Sequence, residues 1–166
     1  LRNISSLHWK VFWSLSLTKV QRNVIYRLIA GSIPNRSFLH SIMPAVFDSP
    51  RCPICLTVND STQHLFFHCP TNEKVWQGVI FEFLCPTTTI SDIKEALLSL
   101  DFTDIWYCQL TGIKPYKILL ISLSQLWLAH MRFIFNQTPM VPTTILASIR
   151  SSVHQAIGED QCHTIL

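Results

Sequence analysis

With 166 residues, of which 48% are hydrophobic and 14% charged, the chain is long enough for one domain with a buried core and too apolar for a disordered tail. Only four glycines occur, and no glycine-rich phosphate loop or nucleophile elbow is present, which disfavours nucleotide-dependent and serine-hydrolase chemistry. The net charge of +3 is uneven, because residues 1–51 carry seven Lys or Arg against one acid, whereas residues 52–166 carry six bases against nine acids.

The apolar residues recur at helical spacing, and no segment alternates clearly enough to indicate a sheet. We therefore predict a mainly α, helical domain with a small irregular insert around the cysteines. Thr18, Asn35 and Ser91 are the predicted N-caps of three helices, and Gly31 is a predicted C-terminal stop. The predicted helices span 7–17, 19–30, 36–42, a segment capped by Thr71 or Asn72 that runs to about 84, 92–100, 115 to about 136, and 143 to about 157.

The second predicted helix, 19–30, separates its apolar and basic residues. Val24, Ile25 and Leu28 lie on one face, and Lys19, Arg22 and Arg27 lie off it. The basic side chains are therefore expected to point outward, where they could contact a polyanion or simply be solvated.

The apolar run 118–135 raises the alternative of a membrane-spanning helix. It contains Gln125, His130 and Arg132, and an arginine near a bilayer centre costs on the order of 2.5–3.5 kcal/mol. We therefore predict a core helix and no membrane association. No signal peptide is recognisable at the N-terminus, so we expect an intracellular protein, in the nucleus or the cytoplasm, with reduced cysteines.

A metal-ligand spacing, Cys52-x2-Cys55-x8-His64-x4-Cys69, interrupts the helical pattern. Zinc prefers four ligands at tetrahedral angles, and a Cys-x2-Cys turn followed by a His-x4-Cys arm supplies them. His68 is the alternative histidine, but neighbouring residues such as His68 and Cys69 rarely reach the same ion. The other three cysteines lack a partner at useful spacing and are interpreted as buried or free thiols: Cys85, Cys108 and Cys162.

The same spacing disfavours catalysis. Four protein ligands close the coordination sphere, whereas a catalytic zinc keeps an open position. The nearest acids, Asp60 and Glu73, have no HExxH-like frame, and the paired aspartates of polymerases are absent.

The order of these motifs resembles the reverse-transcriptase zinc-binding domain near the C-terminus of LINE-like, non-LTR retrotransposon polyproteins. The resemblance is carried by Trp13, VQRNVIYRLIAGSIPNRSFL, CPIC, QHLFFHCP and Trp76, and more loosely by LWLAHMRFIF. It implies that Zn²⁺ is held by Cys52, Cys55, His64 and Cys69, and that the domain binds nucleic acid in support of target-primed reverse transcription.

We therefore expect one domain over 1–166, with a basic helical region at 1–51, a zinc knuckle at 52–69 and C-terminal helices at 70–166. The first hypothesis is an accessory module that binds RNA or single-stranded DNA of the element or its target, with polymerase and nuclease activities elsewhere in the parent polyprotein. The alternative is a structural module that docks on the reverse-transcriptase part of the parent chain, or on another copy, without touching nucleic acid. The candidate phosphate contacts are Lys19, Arg22, Arg27, Arg36 and Arg51, and the candidate stacking residues are Trp9, Trp13, Tyr26, Phe66 and Phe67.

Overall fold

The structure is a computed structural model and describes residues 3–106 and 112–165. Within these ranges the chain forms seven α-helices and one π-helical turn at His64–His68, and the one β-type pairing is an isolated bridge between Arg51 and Asn59. The mainly α prediction is confirmed. The helices are α1 Ser6–Ser14, α2 Lys19–Ala30, α3 Arg36–Ile42, α4 Pro70–Phe83, α5 Ile90–Ser99, α6 Pro115–Asn136 and α7 Pro142–Ile165.

Helix α2 has the bounds that its terminal residues predict. The Thr18 hydroxyl accepts from the Gln21 amide, and the Gln21 side chain accepts from the Thr18 amide, which completes a capping box. At the other end Gly31 adopts φ 67°, a left-handed conformation that costs glycine little. Helix α3 likewise begins after Asn35, whose side chain accepts from the Phe38 amide.

The largest differences from the predicted helix boundaries lie in α1, α4, α5 and α7, and side-chain contacts explain those in α1 and α5. Helix α4 begins directly at Pro70, because proline at the first helical position lacks only an N–H that would be unpaired there. Thr89, not Ser91, caps α5, since the Asp92 carboxylate accepts from the Thr89 amide at 2.8 Å. Helix α1 ends at Ser14 rather than at 17, because the Arg22 side chain binds carbonyls at its C-terminal end.

Helix α7 continues past Gly158, where the sequence predicts its end. A glycine inside a helix costs only about 1 kcal/mol relative to alanine, so other contacts can carry the helix through it. Beyond the glycine, Asp160 accepts from the Lys117 ammonium at 2.7 Å. This ion pair ties the last turns of α7 to the start of α6.

The core is organised around α6, which packs against α2, α4, α7 and the π-helical turn. Ile118, Leu119, Leu123 and Leu126 of α6 are fully buried there. Among the described residues, α6 is the one helix long and apolar enough to cross a membrane, with a mean hydropathy of 1.6 over its most apolar window, and half of that window is buried. Its apolar residues thus serve the same buried cluster as Phe12, Val24 and Trp76.

Candidate metal centre

The first pair of cysteines lies in a tight loop that closes on itself. The Cys52 amide donates to the Val58 carbonyl at 2.8 Å, and the Leu56 amide donates to the Cys52 carbonyl at 3.0 Å. Leu56 adopts φ 60°, so the chain turns sharply just after Cys55. These bonds fix the backbone that carries both thiols.

The second pair lies at the two ends of the π-helical turn. The Cys69 amide donates to the His64 carbonyl at 2.7 Å, which is the five-residue spacing of a π-helix. At the start of the turn, the His64 amide donates to the Ser61 hydroxyl at 3.0 Å. The turn brings His64 and Cys69 to the same point, as the four-residue spacing requires.

The structure brings Cys52, Cys55, His64 and Cys69 together, with one ligand atom from each within 4.8 Å of all the others. Zinc with bonds of about 2.0–2.3 Å places tetrahedral ligands about 3.5–3.8 Å apart. The Cys55 Sγ–His64 Nε2 distance is 3.4 Å, and Cys52 and Cys69 are almost completely buried. Donor set, spacing and burial therefore fit a closed structural zinc site.

Two thiols of the cluster have a pKa below the ordinary value, which favours the thiolate form that binds metal. The pKa of Cys69 lies below its ordinary value, because the Cys52 thiol donates to it and the first amides of α4 add to this effect, although burial opposes them. Burial raises the pKa of Cys55, but bonds from Thr57 and His64 outweigh it and leave that pKa lowered.

The other two members of the cluster, Cys52 and His64, have a raised pKa. The pKa of Cys52 is raised because its thiol is hydrogen-bonded to Cys69 and is buried. Burial lowers the pKa of His64, but the neighbouring sulfurs of Cys52 and Cys55 outweigh it and raise that pKa. Since zinc needs thiolates and a neutral imidazole, protons compete with it for these ligands, and its binding weakens as the pH falls through the raised pKa of His64.

Helix α4 stabilises the π-helical turn through side-chain hydrogen bonds to its carbonyls. The Trp76 indole N–H donates to the Phe66 carbonyl at 2.7 Å, and the Asn72 side-chain amide donates to the Leu65 carbonyl. Trp76 also stacks on Phe67 at 5.9 Å and 21°. The sequence suggests Asn72 only as a possible helix cap, whereas the residue lies completely buried in the first turn of α4.

The remaining histidine and cysteine candidates lie apart from the cluster. His68 is exposed and does not join it. Cys162 is exposed, and Cys85 shares a 3.2 Å hydrogen bond with the Thr87 hydroxyl. Cys108 lies outside the described residues.

Not all of the predicted basic surface is free to contact phosphate. Lys19, Arg27 and Arg51 are exposed, whereas Arg36 is half-buried with its guanidinium 5.2 Å from the centre of the Phe47 ring. For Arg22, the prediction of an outward-pointing side chain is wrong. Its guanidinium donates to the carbonyls of Phe12 at 3.2 Å and Leu15 at 2.9 Å.

Arg22 therefore ends helix α1. The last carbonyls of a helix have no partner within it, and a guanidinium offers several donors in one plane. The Arg22 guanidinium also lies over the rings of Phe12 at 5.3 Å and Trp13 at 5.2 Å. These contacts join α1 to α2.

We expect Arg22→Gln to lower the free energy of unfolding by about 1–2 kcal/mol, near the lower end for hydrogen bonds to charged groups because the site is partly exposed. Arg27→Gln is the matched control, since Arg27 donates only to Asn23 on the same exposed face, and should change stability by about 0.5 kcal/mol or less. Chemical denaturation of both variants measures the difference. Equal stability of the two variants would contradict the role of Arg22 in ending α1.

The candidate stacking residues divide into buried and exposed side chains, as the candidate phosphate contacts do. Phe66 and Phe67 are completely buried, so they lack the exposure that stacking on bases requires. Trp9 is half-buried against Phe12. Trp13 and Tyr26 remain, with 57% and 51% of their surface exposed.

Comparison with known proteins agrees with the site. Residues 2–76 match the family model described as zinc-binding in reverse transcriptase. No curated protein and no solved structure matches the chain significantly. The matched residues include all four members of the cluster and the supporting Trp76. The match and the cluster together identify residues 2–76 as similar to the zinc-binding domain of reverse transcriptases.

Proposed function

We propose that this zinc-stabilised domain binds RNA or single-stranded DNA as an accessory, non-catalytic part of a retrotransposon reverse transcriptase. The parent polyprotein would act inside the cell and supply the polymerase and nuclease activities from other domains. The observation that carries the proposal is a groove on α1 and α2 in which exposed aromatic rings lie among basic side chains.

The groove is open to solvent and has a volume of about 320 Å³. It is lined by Trp13, Lys19, Arg22, Asn23 and Tyr26. Proteins that bind single strands without sequence preference usually combine a basic groove with aromatic side chains on which the bases stack. The Arg22 guanidinium lies over the Trp13 ring at 5.2 Å, and this contact reduces the rotamer freedom that the side chain would lose on stacking.

The charges around the groove are suited to phosphate. Lys19 and Arg27 of α2 are exposed, and residues 1–51 carry seven Lys or Arg against one acid. Binding that neutralises phosphates releases counterions, so the affinity should fall steeply with salt.

The test is filter binding of the zinc-loaded chain to single-stranded RNA and DNA across a salt series. Lys19→Gln with Arg27→Gln should weaken binding to all sequences alike and reduce the salt slope by roughly 0.7–0.9 for each phosphate that the chain no longer neutralises. Trp13→Ala should cost about 1–3 kcal/mol of binding and leave the slope unchanged. The controls are Lys74→Gln on exposed α4 surface and Trp106→Ala, at a tryptophan that is 68% exposed and does not line the groove. Binding without any salt slope would contradict the proposal.

A second candidate function is docking on protein without nucleic-acid contact. The observation in its favour is a row of exposed apolar side chains on α3 and the turn after it: Phe38, Ile42, Met43 and Val46, between 41% and 70% exposed. Contiguous apolar surface of this kind often marks a site of protein–protein interaction. If docking is the function, filter binding should detect no affinity for nucleic acid. In a separate binding measurement, the reverse-transcriptase part of the polyprotein should capture the chain.

A further inference from the structure

A cavity of about 190 Å³ lies beside the metal centre, between α3, the cysteine loop and the C-terminal half of α6. Most of its wall is apolar, with Leu39, Phe47, Pro53 and Ile134 among the lining residues. Sites for drug-sized ligands usually measure roughly 300–1,000 Å³, so this cavity has room for a single small ring system. None of the four metal-ligand candidates lines it.

Two buried polar side chains also line the cavity, and each has an atom without a partner. Asp60 is 4% exposed; its Oδ2 accepts from the Arg36 amide at 2.8 Å, while Oδ1 has no hydrogen bond. His130 is 3% exposed, and its Nδ1 has no hydrogen bond. Buried polar atoms are almost always paired in folded proteins, so two unpaired ones at a single cavity indicate a missing partner with polar groups of its own.

The unpaired hydrogen-bonding atoms of these two side chains define what that partner can be. Burial, and to a smaller extent the positive charge of Arg36, lowers the pKa of His130 to about 4, so the imidazole is neutral near pH 7. Burial raises the pKa of Asp60, although the Arg36 amide and nearby positive charges oppose it. A carboxylate accepts hydrogen bonds, and a neutral imidazole both donates and accepts. Asp60 Oδ1, as an unpaired oxygen, therefore suits a ligand edge that carries N–H donors.

The flat wall of the cavity suits a planar ligand. The Arg36 guanidinium lies over the Phe47 ring at 5.2 Å, and both residues line the cavity. Guanidinium planes and aromatic faces are the surfaces on which unpaired bases stack. Arg36 also places a positive charge at the wall of the cavity, and such charges attract phosphodiesters.

We propose that this cavity binds one base of a single strand that carries an exocyclic amino group, with Asp60 Oδ1 accepting from that group and His130 Nδ1 pairing with a neighbouring edge atom. The inference rests on the proposed binding of nucleic acid and adds a base preference to it. Aspartate accepts from the cytosine amino group in other complexes by the same chemistry. Uracil and thymine have no amino group and should fit poorly.

The test measures the affinity of the zinc-loaded chain for short oligouridine strands at one salt concentration. A single central position is varied between guanine, cytosine, adenine, uracil and an abasic site. We expect at least one amino-bearing base to bind about tenfold more tightly than uracil or the abasic site. Asp60→Asn keeps an oxygen for the Arg36 amide. This variant should bind all five strands with about equal affinity, and its salt slope should be unchanged.

Two further variants make the result specific. His130→Leu removes the second polar atom from α6, at a position distant from the cysteine loop in sequence, and should also abolish the preference. Asp48→Asn changes the same charge on an exposed residue and should keep the preference. Zinc content and melting temperature identify any variant that fails to fold.

Equal affinity for all five strands, or a preference that survives in both cavity variants, would overturn the base site. If salt-dependent binding persisted in that case, the proposed function would stand without it. Absence of salt-dependent binding in the unaltered chain would overturn both. If instead the two variants lost binding to the reverse-transcriptase part of the polyprotein and kept the base preference, the cavity would be assigned to protein contact.

Discussion

Cys69→Ser is expected to yield protein without zinc and with a loosened structure between residues 50 and 70. Cys69 is completely buried at the junction of the π-helical turn and α4, and its thiol lies among the other three ligand atoms. Zinc binding to such sites contributes on the order of 10 kcal/mol of apparent folding free energy. Serine is a poor zinc ligand, so much of this free energy should be lost.

Metal analysis of protein purified without chelator measures the outcome directly. The unaltered chain should contain about one zinc per molecule, since one set of four ligands satisfies a tetrahedral ion. Cys162→Ser makes the same substitution at an exposed cysteine of α7 and should retain the metal. Zinc retained in the Cys69→Ser chain, with His68 available, would show that the ligand set is different.

Helices outside the metal centre should resist chelation better than the centre itself. Helices α6 and α7 pack on each other and on α2 and α4, and their buried residues belong to the common apolar cluster. We expect much of the helical circular dichroism signal to survive metal removal, while the near-ultraviolet signal of the tryptophans changes. The region matched to the zinc-binding family would thus lose its packing first.

The parts of this structure that depend on neighbouring residues could be predicted from the sequence. Thr18 and Gly31 determine the ends of α2 through bonds to residues at most four positions away. The four ligand candidates span only 18 residues, so spacing alone predicts that they converge. Local chemistry also explains the error at α5, where two hydroxyl residues compete and the Asp92 carboxylate selects Thr89.

The parts that depend on distant contacts could not be predicted. Helical spacing places Arg22 off the apolar face, but it does not show that α1 ends just where that side chain reaches its carbonyls. The cavity brings together Asp60 and His130, which are 70 positions apart, and nothing in the sequence pairs them. The spacing of His64 and Cys69 is compatible with a helical turn or a loop, and the wide π turn forms because α4 donates to its carbonyls.

Trp76 should therefore have the largest effect on stability among residues that do not touch the metal. It is completely buried, stacks on Phe67 and donates to the Phe66 carbonyl inside the π-helical turn. Replacing a buried tryptophan by alanine costs about 3–5 kcal/mol through reduced burial and the cavity left behind. Because this turn positions both His64 and Cys69, the Trp76→Ala chain should also bind zinc more weakly.

Trp76→Phe separates the two contributions of this side chain. Phenylalanine keeps most of the apolar packing but leaves the buried Phe66 carbonyl without its donor, which costs about 1–3 kcal/mol. Trp106→Ala, at a tryptophan that is 68% exposed, should change stability by about 0.5 kcal/mol or less. Denaturant unfolding with saturating zinc gives the stabilities, and competition with a chromophoric chelator gives the zinc affinities. If Trp76→Ala lost stability but kept the unaltered zinc affinity, the turn would hold its ligands without help from α4, and the coupling between Trp76 and the metal centre would be refuted.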